Sequence, residues 1–240
     1  FIMKASVDLI PKIIDITGEE REKVIAGYLD SNDVPEFLFN FKPITIILNN
    51  NVLTYYVSPD YLALGEGSDY LLIPANPRTV EDHFLSKHNL LLPTTKMSRQ
   101  IFEAATHKII PMPIQPNSQK TKLFVEIDTK IKSKRFEHKI YLTDFVAGHK
   151  KDVVLSNLLL RKENRGNVGL YGWFTPKDGK PIQPLYCGHW MSYVDYSHGF
   201  RLVKDECLLN GQTVSLKKDI MRNPNLCLLV HDEVLSFLSY

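Results

Sequence analysis

The C-terminal part of the chain contains several short strand-like segments that follow one another without helical segments between them. In order, these segments are DVVLSNLLL, NVGLYGWFT, YVDYSHGFRLV and QTVSL. A parallel sheet built from βαβ units needs a crossover, usually a helix, between consecutive strands. The pattern therefore predicts a curved, mainly antiparallel sheet or a small barrel-like core in this half of the chain.

Helical patterns are concentrated earlier in the sequence. Residues 19–30 place Val24, Ile25, Tyr28 and Leu29 at helical spacing. Two further helices are predicted from Thr79 and from Thr94. A hairpin is predicted around the asparagines at 49–51, and the alternating segment KLFVEIDTKIKS is predicted to be an exposed strand or an extended arm. The chain is thus predicted to be α+β, with helices mainly in the N-terminal half.

The length and composition of the chain are typical of a folded domain. It has 240 residues, of which 44% are hydrophobic and 23% charged, enough to build a sizeable core. We predict a single domain over residues 1–240. The proline-rich loop PMPIQPNSQ (111–119) is the alternative position for an internal boundary.

Charge and cysteine content narrow the classes of partner. With 29 basic and 27 acidic residues the net charge is +2, which gives no electrostatic reason to expect nucleic acid binding. No apolar run approaches the ~18–20 residues of a membrane span. The three cysteines form no CxxC pair, and we predict three buried thiols, with one disulfide and one free thiol as the alternative. The first residues are apolar without a basic leader and suggest a mature or trimmed N-terminus. The compartment stays open, with secreted or periplasmic as one option, and so do the cofactor and the oligomeric state.

Common enzyme fingerprints do not occur in the sequence. A P-loop, a GxGxxG dinucleotide motif, HExxH, GxSxG and an EF-hand loop are all missing. A catalytic site, if present, must be assembled from dispersed residues.

The segment GHWMSYVDYSHGFRLV (188–203) has the highest density of reactive side chains in the chain. If residues 193–198 form a strand, Tyr193, Asp195 and Ser197 lie on one face and His198 on the other. Asp195 and His198 can then meet only if the chain bends between them, and the glycine that follows His198 makes a bend or bulge plausible.

Two neighbouring segments supply further candidates. AGHKKDVVLSN places His149 and Lys151 ahead of an apolar strand, where a loop can deliver them to a site. The segment 167–185 contributes Tyr171 and Trp173 for a concave surface and Gln183 as a hydrogen-bonding group. The competing interpretation is purely structural. The first of these segments would then be a turn and the second a hairpin, while Asp195, Ser197 and His198 would form a buried polar network.

Several chemistries can use these residue types. Ser197 can act as a nucleophile with His189 or His149 as its base and an aspartate to orient the imidazole. Cys187 is a second candidate nucleophile. As an alternative, the three histidines of these segments and a carboxylate have the identities of a zinc site.

Two resemblances accompany these residues. The segments GHKKDVVLSN, LYGWF, GKPIQPLYCGHW and YVDYSHGFRLV resemble a family of uncharacterised, largely bacterial proteins, over most of residues 30–205. This resemblance implies no activity. Separately, SHGFRL (197–202) is similar to the SHGC(I/V)R(L/M) motif of L,D-transpeptidases, which act on peptidoglycan through a cysteine. Phe200 stands where that family has its cysteine, so the resemblance does not carry over the nucleophile.

The sequence as a whole favours a hydrolase or acyl-transferase that acts on a peptide-like or cell-wall-like substrate. The expected partner is thus a small molecule, a peptide or a glycan. The expected catalytic residues are His149, Cys187, His189, Asp195, Ser197 and His198. The expected substrate-binding residues are Lys151, Tyr171, Trp173, Gln183, Tyr193 and Arg201. The alternatives are a zinc-dependent hydrolase and a non-catalytic module that binds carbohydrate or peptide in an aromatic groove formed by Tyr171, Trp173, Trp190 and Tyr193.

Overall fold

The computed structural model describes residues 3–114 and 119–240. Helices make up 35% of the chain and strands 29%, and the main sheet is a curled, antiparallel half-barrel. The predicted α+β class, with most helices in the N-terminal half, is therefore confirmed.

The α-helices of the described chain range from four to 17 residues in length. The α-helices are α1 (Ile10–Ile13), α2 (Gly18–Asp30), α3 (Pro77–Val80), α4 (Thr95–Ala104) and α5 (Thr121–Glu137). Shorter 3₁₀ or π turns occupy Ala5–Leu9, Glu36–Phe39, Glu81–Leu85, Ser86–His88, Asn157–Leu160, Lys162–Asn164, Leu216–Met221 and Cys227–Leu229. Thr94 begins α4 as its N-cap, because its hydroxyl accepts a hydrogen bond from the Met97 backbone amide at 3.1 Å.

Helix α5 corrects one prediction. KLFVEIDTKIKS lies inside α5 and is neither a strand nor an extended arm. The segment carries two patterns at once: Leu123, Val125 and Ile127 alternate, whereas Phe124, Ile127 and Ile131 have helical spacing. The second set is the buried one, so burial of that helical stripe decides the conformation.

The larger sheet is built around one long strand. Its strands are β1 (Lys42–Leu48), β2 (Asn51–Tyr61), β5 (Leu90–Leu91), β12 (Arg201–Lys204), β13 (Glu206–Leu209) and β14 (Gln212–Ser215). They are ordered β14-β13-β2-β12-β5, and β1 also pairs with β2. Asn49 and Asn50 form the β1–β2 turn with φ of 49° and 63°, as the asparagine-rich turn predicts.

The smaller sheet carries most of the predicted site. Its strands are β8 (Lys151–Val153), β9 (Asn167–Phe174), β10 (Pro181–Trp190) and β11 (His198–Gly199), in the order β10-β9-β8-β11. Two short pairs complete the strands, namely β3 (Ala63–Glu66) with β4 (Asp69–Leu72), and β6 (His107–Lys108) with β7 (Val146–Ala147).

The segment 191–204 passes from one sheet to the other. Residues 191–197 form turns, so the predicted strand over 193–198 is wrong, and the chain enters β11 only at His198. A Cβ atom at Gly199 would lie 2.7 Å from both Tyr61 and Lys150. Gly199 therefore permits a close approach between β11 and its neighbours, rather than the bend expected from the sequence.

One hydrophobic cluster extends from Met3 to Leu235 and includes residues of both sheets. The alternative boundary at 111–119 falls largely on residues 115–118, which lie outside the described residues. All three cysteines are free and buried, as predicted. Across the two described stretches of chain, no helix combines the length and apolar character needed to cross a membrane.

Candidate functional site

Two β-bulges bring three side chains of β10 to one face of the smaller sheet. Gln183, Tyr186 and His189 are three residues apart, a spacing that would put neighbouring members on opposite faces of a regular strand. They pair instead with Gly172, Leu170 and Val168, which are two residues apart on β9, because the register shifts between each pair.

The inner strands of the sheet add two ionisable residues to the same face. Lys151 of β8 pairs with Gly172, and His198 of β11 pairs with Lys151. Since paired residues share a face, Gln183, Lys151 and His198 form a row across the sheet. Gly172 lies between Gln183 and Lys151 and, having no side chain, leaves space in this row.

A cleft of about 230 Å³ lies on this face. It is lined by Lys151, Leu170, Gln183, Tyr186, His189 and Asp195. Four of these six residues belong to the set expected from the sequence.

Asp195 reaches the cleft from the turn that precedes β11. One carboxylate oxygen, Oδ1, accepts hydrogen bonds from the Ser197 backbone amide at 2.7 Å and the Ser197 hydroxyl at 2.5 Å. The His198 backbone amide donates to the Asp195 carbonyl at 3.3 Å. The other carboxylate oxygen, Oδ2, lies 3.7 Å from Nε2 of His198. The bend required for Asp195 and His198 to meet is therefore present, and it lies before His198.

His198 is buried beside Asp195, and its neutral form is favoured. Its side chain is almost fully buried, and this burial lowers its pKa to about 4 despite the nearby Asp195. Within the described residues, no hydrogen-bond partner satisfies its Nε2 atom.

His189 is the more accessible of the two histidines. Its ring stacks on Tyr193, with the ring centroids 4.1 Å apart and the planes 23° from parallel. Partial burial lowers the pKa of His189, while the charge of Asp195 opposes that shift and Lys151 adds to it. Burial therefore favours the neutral imidazole of His189, and the Asp195 carboxylate favours its protonated form.

Lys151 is fixed by an aromatic ring. Its ammonium lies 4.6 Å from the ring centroid of Trp173, within cation–π range. Trp173 itself has a φ of 57°, a strained value for a bulky residue, and its indole N–H donates to the His149 carbonyl at 3.2 Å. Burial lowers the pKa of Lys151, and Asp195 opposes this shift.

Two predicted site residues lie in a different place, the interior between the sheets. His149 is buried, with Nε2 3.0 Å from Oδ1 of Asp60. Arg201 is also buried and donates to the Ser58 and Val146 carbonyls at 2.9 and 2.8 Å. Neither side chain can meet a substrate there, so their predicted roles as base and as carboxylate binder are not supported.

The candidate nucleophiles are poorly placed for covalent catalysis. Burial raises the pKa of the Cys187 thiol to about 11, which keeps it protonated. The Ser197 hydroxyl is buried and donates to Asp195 rather than to a histidine. Phe200, at the position of the transpeptidase cysteine, is a core residue.

The aromatic groove of the binding-module alternative does not form as expected. Tyr171 and Trp173 are only 5% and 8% exposed, too little to stack on a sugar ring. Trp190, in contrast, is 67% exposed at the end of β10, and Tyr193 is stacked on His189.

The zinc alternative requires three ligands close together. Within residues 3–114 and 119–240, no group of three or more His, Cys, Asp or Glu side chains has the geometry to hold a metal ion. His149 is hydrogen-bonded to the buried Asp60, whereas His189 lines the cleft.

Sequence reasoning missed Tyr186 and Leu170 of the cleft. Assuming regular alternation along β10 would separate Tyr186 from Gln183 and His189. The signal in the sequence was the proline and glycine within this strand, Pro184 and Gly188, because such residues often mark bulges in edge strands.

Comparisons of the chain with protein-family models, curated proteins and solved structures find no match.

Proposed function

We propose that the cleft is the active site of a hydrolase that cleaves peptide-like substrates with water as the nucleophile. The observation that carries this proposal is the convergence of Lys151, His189 and Asp195 on one cleft, with Nε2 of His198 3.7 Å from Oδ2 of Asp195. Water is the proposed nucleophile because the Cys187 thiol is protonated and the Ser197 hydroxyl is engaged by Asp195.

The proposed steps assign one role to each group. Neutral His189 takes a proton from water as the water oxygen attacks the carbonyl carbon of the substrate. The resulting imidazolium is stabilised by Asp195 and returns the proton to the leaving amine when the C–N bond breaks. Lys151, the cation of the cleft, stabilises the oxyanion or holds a substrate carboxylate.

The test is a hydrolysis screen with a synthetic library of short peptides, with release of new amino groups as the readout. For a cleaved peptide, we expect His189→Gln to lower kcat/KM at least ~100-fold, the usual contribution of a general base. The matched control is His138→Gln, at an exposed histidine outside the cleft, which should stay within about twofold of wild type.

The pH profile adds a second readout. Because the pKa of His189 is lowered, kcat/KM should rise with pH and be half-maximal below the ordinary histidine value of about 6.5. Equal activity of His189→Gln and wild type on every cleaved peptide would contradict the proposal, as would no cleavage of any peptide in the library.

A further inference from the structure

Strand β10 forms an edge of the smaller sheet. It pairs with β9 on one side, and no strand of the described chain pairs with its other side. A free edge presents backbone N–H and C=O groups that can pair with another extended chain.

This edge is long, apolar and uncharged. Between Pro181 and Trp190 the strand has no Lys, Arg, Asp or Glu, the residues that commonly protect edge strands. Its large exposed side chains are Ile182, Tyr186 and Trp190, at 53%, 42% and 67% exposure. Pro181 and Pro184 lack a backbone N–H, and the Pro184 carbonyl accepts a hydrogen bond from the Gln183 side chain at 2.9 Å, but every residue from 185 to 190 retains its N–H.

The free edge is continuous with the cleft. Gln183, Tyr186 and His189 belong to β10 and also line the cleft. A strand added to β10 would lie about 4.8 Å further out, so side chains on its cleft-facing side would lie beside these residues.

We infer that β10 binds an extended peptide by strand addition, and that this peptide is the substrate delivered to the cleft. The second part rests on the proposed function. An edge without charged side chains selects for a peptide backbone rather than for particular charges. The Lys151 ammonium, which lines the cleft beside β10 residues Gln183 and His189, then complements a carboxylate on the bound peptide.

The first experiment locates the backbone contacts. A synthetic library of ten-residue peptides is screened for binding, and the tightest binder is resynthesised with one N-methylated amide at a time. Strand addition predicts that N-methylation weakens binding roughly tenfold or more at every second residue and little at the residues between. No binding peptide, or losses without this period of two, would overturn the inference.

The second experiment locates the surface. Ile182→Lys and Trp190→Lys add charge to exposed positions on the edge and should weaken peptide binding at least about tenfold. The matched control is Phe136→Lys on α5, an 88% exposed aromatic away from β10, which should bind as wild type does. Equal binding by all three variants would overturn the inference.

Two outcomes separate the inference from the proposed function. If N-methylation weakens peptide binding at every second residue but no peptide is hydrolysed, strand addition to β10 is supported and the hydrolase proposal is refuted. In contrast, strand addition is refuted if dipeptides and ten-residue peptides are both hydrolysed and neither Ile182→Lys nor Trp190→Lys changes the rate of either reaction. Sedimentation adds a check: a wild-type dimer that the edge variants dissociate, without peptide binding, would make a second copy of this chain the occupant.

Discussion

His198 and Asp152 show how burial shifts the ionisation of a side chain towards its neutral form. They lie on adjacent strands and face opposite sides of the smaller sheet, because Lys151 pairs with His198 and Asp152 with Gly199. Burial lowers the pKa of His198 to about 4 and raises that of Asp152 to about 6. Both shifts favour the neutral form, as expected for groups removed from water.

The shift at His198 predicts a pH dependence of stability. Below pH 4 both folded and unfolded states bind the proton, and above about 6.5 neither does. Between these values only the unfolded state is protonated, so the free energy of unfolding rises with pH across this window, by roughly 3 kcal/mol in total. His198→Gln should remove this contribution.

The measurement is urea unfolding of wild type and variant at pH 7 and at pH 4. The difference in unfolding free energy between the two proteins should change by roughly 3 kcal/mol between the two pH values. His138→Gln, at an exposed position, should show the wild-type pH dependence. A constant difference between wild type and His198→Gln would show that His198 does not titrate in this way.

At the scale of single elements, β9 depends on a glycine in the left-handed region. Gly172 has a φ of 113°, and a Cβ there would lie 3.2 Å from Phe174 and 3.4 Å from Asp152. Gly172 directly precedes the strained Trp173, and its lack of a side chain leaves space between Gln183 and Lys151. The shape of the cleft is therefore tied to the local backbone of β9.

Two Gly→Ala substitutions should have opposite effects. Gly172→Ala should destabilise the protein by about 1–3 kcal/mol, because alanine is strained at this φ. Gly27→Ala should stabilise it by about 0.5–1 kcal/mol, since Gly27 is an exposed position within α2 with no heavy atom within 4 Å of the added Cβ. Thermal or urea unfolding measures both, and the same sign for the two would contradict this account.

At the scale of the whole molecule, a buried ion network connects the sheets and α5. Asp60 of β2 lies 2.7 Å from Nη1 of Arg135 on α5 and 3.0 Å from Nε2 of His149. Arg201 of β12 adds positive charge nearby. Burial acts to raise the pKa of Asp60, but these three neighbours outweigh it and lower the pKa to about 2.

Removing the Asp60 charge should cost far more than removing a surface charge. Asp60→Asn should lower the unfolding free energy by about 3–5 kcal/mol, because buried arginines lose their counter-ion. Asp30→Asn, which breaks exposed contacts to His83 and Lys87, should cost no more than about 1 kcal/mol. Urea unfolding at pH 7 checks both, and similar costs would contradict a stabilising role for the network.

The same charge predicts how wild-type stability responds to acid. The folded-state pKa of Asp60 is depressed, so its contribution is complete above the unfolded-state value of about 4 and is lost as the pH falls through about 2.

The sequence alone determined the fold class, the asparagine turn before β2, the helix predicted from Thr94 and four of the six residues that line the cleft. These features depend on local chemistry: turn propensity, capping groups and the order of helical and strand patterns along the chain. Such signals act within a few residues and can be read without knowing the partners.

Tertiary structure decided the remaining features. Burial of the Phe124–Ile131 stripe made α5 a helix although the same segment also alternates. The bulges of β10 put Tyr186 beside Gln183 and His189, and pairing with Asp60 drew His149 into the interior. Each outcome depends on which distant residue a side chain meets, and that contact is fixed only when the sheets close around a common core.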